Sequence, residues 1–246
     1  MVPQDGKRTI KLMHTADIHL GDHAEPQAVR AAFEAVVDSA IDEGVDLVII
    51  AGDLFDSNRV KGDNVDFAIA QLARLSIPVV ILPGNHDSYD ETSIYRRVDF
   101  PARCPNVWLI TRPEGELLTF PDLALNLWGK PVVEHHPGFR PIADLPARQG
   151  HYWHVGIAHG YHVPGSQNTD RSSPILGREI AASGWDYFAL GHVHPFRDVS
   201  EGEVLACYSG SPVRTDSSQQ SAGYVVIVNL DKDRGVSFER RTVSRR

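Results

Sequence analysis

Nine polar residues in this chain have types and spacing suited to shared chemistry: Asp17 and His19, Asp53, Asn85 with His86 and Asp87, His159, and His192 with His194. Each group stands at the end of an apolar run. Setting His86 and Asp87 aside leaves two carboxylates, one amide and four imidazoles. Seven donors are too many for one cation and suit two, provided one carboxylate bridges. Asp53 is the expected bridge, because it follows the nearly continuous apolar stretch Val45–Ala51 and is the middle acid. Two ions about 3.5–4 Å apart can clamp phosphoryl oxygens and acidify a shared water. Imidazole and carboxylate without thiolate favour manganese, iron or zinc over calcium or copper(I). Asn85 would hold an ion without adding negative charge. His86 is assigned to protonating a leaving oxygen or stabilising the transition state, and Asp87 to orienting His86. Taken singly, each group could be a turn-forming acid or a solvated imidazole. Agreement at five strand ends outweighs coincidence.

Elements must bring these groups together. Thr9–Thr15 alternates apolar and polar residues and reads as a strand. Pro26–Glu43 carries Val29, Phe33, Val36, Val37, Ala40 and Ile41 at helical spacing. Val45–Ala51 is a strand of the buried parallel kind, Asn64–Leu75 a second helix, and Val79–Leu82 a strand stopped by Pro83-Gly84. Strand–helix–strand–helix–strand predicts a parallel, doubly wound start, whose ligands bind at the carboxyl ends of the strands. Asp17 and His19 are two apart, as are His192 and His194, so each pair shares one side of an extended backbone. Asp56 reads as a loop or helix-start residue. From about Asp90 to Gly150 prolines are frequent, with short strands at Val107–Ile110, Glu116–Phe120 and Leu123–Gly129. His135-His136 reads as loop, since adjacent side chains on an extended backbone point apart. His154–Ala158 and Tyr187–Leu190 are strands, Gly177–Ala182 a short helix. Val204–Ser209, Tyr224–Leu230 and Val236–Val243 make the remainder β-rich.

The 246 residues, 42% of them hydrophobic, can bury a sizeable core. A formal charge of −8 argues against broad binding to a nucleic-acid backbone. It leaves open a cleft where bound cations reverse the local potential. Cys104 and Cys207 lack metal or disulfide spacing and are expected as buried thiols. The polar start Met1–Thr9 and the lack of any membrane-length apolar run point to a cytoplasmic protein without membrane contact.

Together, Asp17-x-His19, Gly52-Asp53, Gly84-Asn85-His86-Asp87, His159 and Gly191-His192-x-His194 resemble the motifs of calcineurin-like metallophosphoesterases. The resemblance implies an α/β fold: a four-layer αββα sandwich of two mixed sheets flanked by helices. It implies one metal held by Asp17, His19, Asp53 and His194, and another by Asp53, Asn85, His159 and His192, with His86 a catalytic non-ligand. His14–Gly21, Ala51–Asp56 and Tyr208–Pro212 further resemble the SbcD-type DNA repair nucleases. Those relatives imply manganese-dependent cleavage of DNA phosphodiesters beside an SMC-like ATPase partner. In them a DNA-capping domain and an ATPase-docking helical segment follow the phosphoesterase domain. Residues 1–246 are expected to form that domain alone, ending in a small basic cluster of Arg240, Arg241, Arg245 and Arg246.

The reading is therefore a two-metal phosphodiesterase with two divalent ions, most simply Mn2+, acting on DNA or another nucleotide diester. A small-molecule or cyclic-nucleotide phosphodiesterase or phosphomonoesterase is the first alternative. A silent metal-binding interaction module is the second.

Overall fold

The computed structural model describes residues 6–22, 24–165, 169–213 and 223–243. Arg245 and Arg246 of the basic end, and part of the loop after His162, lie outside them. Two six-stranded mixed sheets form the body. The first is built from β1 (Ile10–Thr15), β2 (Leu47–Ala51), β3 (Val79–Leu82), β4 (Val107–Leu109), β13 (Tyr224–Asp231) and β14 (Gly235–Thr242). Its spatial order is β14-β13-β1-β2-β3-β4. β1 to β4 run parallel, while β13 lies antiparallel to both β1 and β14.

The second sheet contains β5 (Glu116–Phe120), β6 (Leu125–Gly129), β7 (Trp153–His159), β10 (Tyr187–Gly191), β11 (Arg197–Asp198) and β12 (Leu205–Tyr208), in the order β11-β12-β10-β7-β6-β5. β6, β7, β10 and β12 are parallel, with antiparallel edges. A separate parallel pair, β8 (Tyr161–Val163) and β9 (Pro174–Leu176), sits just after β7. It is unexpected, because three-residue strands are too short to show a period.

Three apolar layers explain the stacking. Side chains alternate across each strand, so Leu12, Leu47, Ile49, Val80 and Leu82 face one way and Met13, Val48, Ile50, Val79 and Ile81 the other. The first set packs between the sheets against Leu125, Leu127, Val155, Ile157, Tyr187 and Ala189. The second set packs on α1 (Pro26–Glu43) and α2 (Gly62–Leu72) through Val29, Phe33, Val36, Val65, Ala68 and Leu72. Burying each such large side chain contributes about 1.5–3 kcal/mol. The outer face of the second sheet is covered more thinly, by α5 (Gly177–Ala182) with Ile180, and by Ile142, Trp185 and Val199. The expected four-layer αββα sandwich is therefore present, with a slight fourth layer.

Between β3 and β4 lie two single-turn helices, α3 (Ile94–Arg97) and α4 (Phe100–Arg103), capped by the Ser93 and Asp99 side chains. They carry Tyr95 and Phe100 onto Phe55, with ring centroids 6.0 Å from it in each case. Cys104 and Cys207 are buried free thiols, as expected. Among the described residues no helix is long and apolar enough to cross a membrane.

Candidate metal centre

β1, β2 and β3 of the first sheet and β7 and β10 of the second end side by side. Their following residues bring Asp17, His19, Asp53, Asn85, His159, His192 and His194 into one cluster. His19 Nε2 lies 3.3 Å from His194 Nε2 and 4.0 Å from Asp53 Oδ2. The ligand atoms of Asp17, His19 and His194 all fall within 4.8 Å of one another, as do those of Asp17, Asp53 and His159. On the other side, Asn85 Oδ1 lies 2.9 Å from His159 Nε2 and 2.8 Å from His192 Nδ1. His159 Nε2 is 3.3 Å from Asp53 Oδ2. Asp53 Oδ2 thus faces both donor groups.

The backbone achieves this convergence differently from the extended pairing expected. Asp17 (φ 55°), His19 (φ 58°), Asp53 (φ 53°) and His192 (φ 101°) all have left-handed backbones. Asp and His tolerate that region better than branched residues do, at about 1–3 kcal/mol each. Surrounding bonds fix the bends. Asp17 N donates to Gly52 O, and Ile18 N and His19 N both donate to Asp53 O. His192 N donates to both carboxylate oxygens of Asp17 at 3.0 Å. Gly84 is needed for close approach: a Cβ there would stand 2.2 Å from Asp53 Oδ1 and 2.6 Å from Asp53 N.

Electrostatics suit cation binding. Burial drives the His19 and His192 imidazoles down to about 4, and lowers His194 as well. Burial thereby favours the neutral form of these rings, which offers a lone pair. Burial raises the Asp17 carboxyl to about 7. Burial also acts to raise Asp53, but His159, His19 and the His86 backbone N–H together outweigh it and hold Asp53 below the usual carboxylate range. Burial acts to lower His159, but the Asp53 charge and hydrogen bond, the Asp17 charge and the Ala51 carbonyl together lift it to about 9; a divalent cation seated there would take the place of that proton. The cluster is a set of nitrogen and oxygen donors around one persistent anion, buried at Asp17, Asp53 and His159 and open to solvent at His194, which fits a pair of divalent cations. The far side of the His159 ring is anchored too, since its Nδ1 is 2.9 Å from the Ala51 carbonyl.

His86 lies at the rim, its ring edge-on to His19 with centroids 4.6 Å apart. Its ligand atom also comes within 4.8 Å of those of His19 and Asp53. Its Nδ1, however, is 2.9 Å from the Asp56 carbonyl, which can only accept. Nδ1 therefore carries a proton, and Nε2 is left to face a substrate. Its backbone N donates to Asp53 Oδ1 at 2.9 Å.

Asp87 does not orient His86. Its buried carboxylate accepts from Gly84 N at 2.8 Å, Phe55 N at 3.1 Å and Tyr95 Oη at 2.6 Å. These bonds tie the Gly84–Asp87 turn to the segment after β2. The orienting group is Asp56, through its carbonyl. Its carboxylate also lies 3.4 Å from His19 Nδ1. Tyr95 carries no sequence signal beyond proximity to a motif, and Asp56 closes the Ala51–Asp56 motif, where it reads only as a loop or helix-start residue. The Tyr208–Pro212 stretch has a supporting role: Ser211 N donates to His194 O at 2.7 Å and Tyr208 Oη to Gly160 O at 2.8 Å.

A family profile for calcineurin-like phosphoesterases matches residues 10–196. The chain belongs to the calcineurin-like phosphoesterase family. Relatives of this phosphoesterase include a Methanosarcina mazei protein described as DNA double-strand break repair protein Mre11. It is 27% identical over 97% of this chain and 39% of its own length. The SbcD component of the Bacillus subtilis nuclease SbcCD is 26% identical over 90% of this chain and 66% of its own length. The uncharacterized metallophosphoesterase YhaO of the same organism is 25% identical, over 94% of this chain and 60% of its own length. The chain thus spans about two-fifths to two-thirds of these relatives. In fold it is similar to the purple acid phosphatase PPD1 of yellow lupin, with a TM-score of 0.57 at 11% identity, covering 98% of this chain and 52% of that one. A Thermus thermophilus protein gives a TM-score of 0.60 at 14% identity, covering 96% of this chain and all of the other.

Proposed function

We propose that this phosphoesterase is a hydrolase that cleaves phosphodiester bonds, with DNA or another nucleotide diester as substrate, using two divalent cations. Manganese is our choice of ion. The observation carrying the reading is the clustering of seven donors from two sheets around Asp53, with the free edge of His86 alongside. Asp17, His19, Asp53 and His194 would hold one ion; Asp53, Asn85, His159 and His192 would hold the other. Bound there, such a pair supplies Lewis acidity toward phosphoryl oxygens and toward a shared water.

The chain's own residues do the rest. Asp53 stays ionised and fixes the separation of the two donor groups. His86 is locked by the Asp56 carbonyl with Nδ1 protonated. A second proton on Nε2 lets it stabilise charge on the phosphoryl group and then pass to the leaving oxygen. Support for a nucleic-acid diester comes from the relatives, two of which are described as a DNA break repair protein and a nuclease component. An SMC-like ATPase partner would follow from the same kinship.

A substrate panel tests this. Bis-p-nitrophenyl phosphate, p-nitrophenyl phosphate, cyclic nucleotides, and single- and double-stranded DNA are incubated with manganese, with and without chelator. Chelator-sensitive cleavage of DNA is expected. Intact DNA alongside rapid turnover of a mononucleotide would overturn the nuclease reading.

A further inference from the structure

We propose that His135 is a substrate-contacting residue, its Nε2–H donating to a phosphoryl oxygen on the His159 and His192 side of the centre. The proposal rests on the phosphoesterase reading above and adds a residue to it. His135 lies in an exposed loop, yet its ring stands beside the His192 ring, with centroids 5.1 Å apart. His86 likewise stands beside His19, there edge-on, with centroids 4.6 Å apart. Each group of donors therefore has beside it an exposed imidazole that is not itself one of the seven donors, and a phosphoryl group between them would meet both.

The loop is braced in a way that a free surface histidine would not require. His135 Nδ1 is 2.8 Å from Ser173 Oγ. Ser173 is fully buried and has a left-handed backbone at φ 50°, a conformation that costs a non-glycine residue about 1–3 kcal/mol. It is held there on several sides. Its N–H donates to His136 O at 3.0 Å, and its carbonyl accepts from Tyr161 N at 3.0 Å. Gly160 lies so close that a Cβ would stand 2.1 Å from that same carbonyl. Gly160 directly follows His159, so the brace runs from a donor of the centre to the His135 ring. With Ser173 Oγ–H donating to Nδ1, the neutral ring carries its proton on Nε2. That is the tautomer a phosphoryl oxygen needs. A hydrogen bond from this position to an anion is worth enough to change affinity about tenfold to a hundredfold.

The test uses the full chain loaded with manganese, and inorganic phosphate as the probe in titration calorimetry. Wild type is expected to bind phosphate. His135→Ala should weaken that binding tenfold or more while metal analysis finds wild-type ion content. His135→Gln, which restores an amide donor, should recover most of the affinity. The proposal is overturned if His135→Ala binds phosphate as wild type does, or if it loses metal. It is equally overturned if His135→Gln binds no better than His135→Ala. Because binding is read without turnover, failure here is distinct from failure of the phosphodiesterase reading. That second failure would show as an inactive wild type across the substrate panel.

Discussion

Replacing Gly84 by alanine perturbs the centre while leaving every donor residue in the chain. The added Cβ would stand 2.2 Å from Asp53 Oδ1, 2.6 Å from its N and 2.8 Å from its Cγ. Each distance is about 1 Å short of ordinary van der Waals separation. Two of the three atoms belong to a carboxylate held by His86 N and facing His159, and the third is main chain. None can swing aside as the end of a flexible side chain would. The ends of β2 and β3 must therefore part by about 1 Å. Overpacking of this kind costs about 1–3 kcal/mol. A 1 Å displacement of catalytic groups costs about a hundredfold in rate. Urea unfolding of the chelated protein measures the first effect, and initial rates on bis-p-nitrophenyl phosphate with manganese measure the second. Gly62→Ala is the control: no atom lies within 4 Å of its Cβ, so stability should change by less than about 0.5 kcal/mol. If Gly84→Ala behaves like Gly62→Ala in both assays, the tight seam between β2 and β3 does not position Asp53.

Three further outcomes are expected. His86→Ala should lower turnover by about 10²–10⁴-fold with metal content intact, whereas Asp53→Ala should lose metal too; a fully metallated Asp53→Ala protein would refute the bridging role. Tyr95→Phe removes the 2.6 Å bond to Asp87. That change should destabilise the fold by about 1.5–3 kcal/mol in urea titration, and an unchanged midpoint would show that Asp87 does not anchor the turn. Burial drives the His14 imidazole down to about 3 from its ordinary 6.5. Between those values the unfolded chain takes up a proton that the folded one refuses. Stability of the chelated protein should therefore fall as pH drops through that window, by up to about 1.4 kcal/mol per unit from this group. His14→Gln should flatten the slope; an identical slope would remove His14 from the cause.

Long apolar runs make most of the architecture legible. The β1 to β3 unit, α1, α2, and the strands ending in His159 and Gly191 stand where periodicity places them, because each is long enough to show a period or a continuous buried run. Every donor named from strand ends lies in the cluster. The route differs for Asp17, His19 and His192, since a left-handed turn leaves no mark in single-sequence alternation. Asp87 has a different neighbour from the expected His86 for a similar reason: the Tyr95 hydroxyl reaches it from a one-turn helix in a stretch that reads as irregular. For His135-His136, divergence of adjacent side chains argues against a shared role. The His135 ring nonetheless reaches His192 and meets the hydroxyl of Ser173, 38 residues away along the chain. Tertiary bridges of that kind have no local signature.

The donors are divided between two separately hydrogen-bonded sheets. Asp17, His19, Asp53 and Asn85 come from one, and His159, His192 and His194 from the other. Cations seated among them would act as a rivet between the halves of the molecule. A site filled to a hundred times its dissociation constant adds about 2.7 kcal/mol to folding. Starving such a protein of metal would then do more than halt its chemistry. It would loosen the mouth where the sheets meet, exposing that edge first to hydrogen exchange and to proteases.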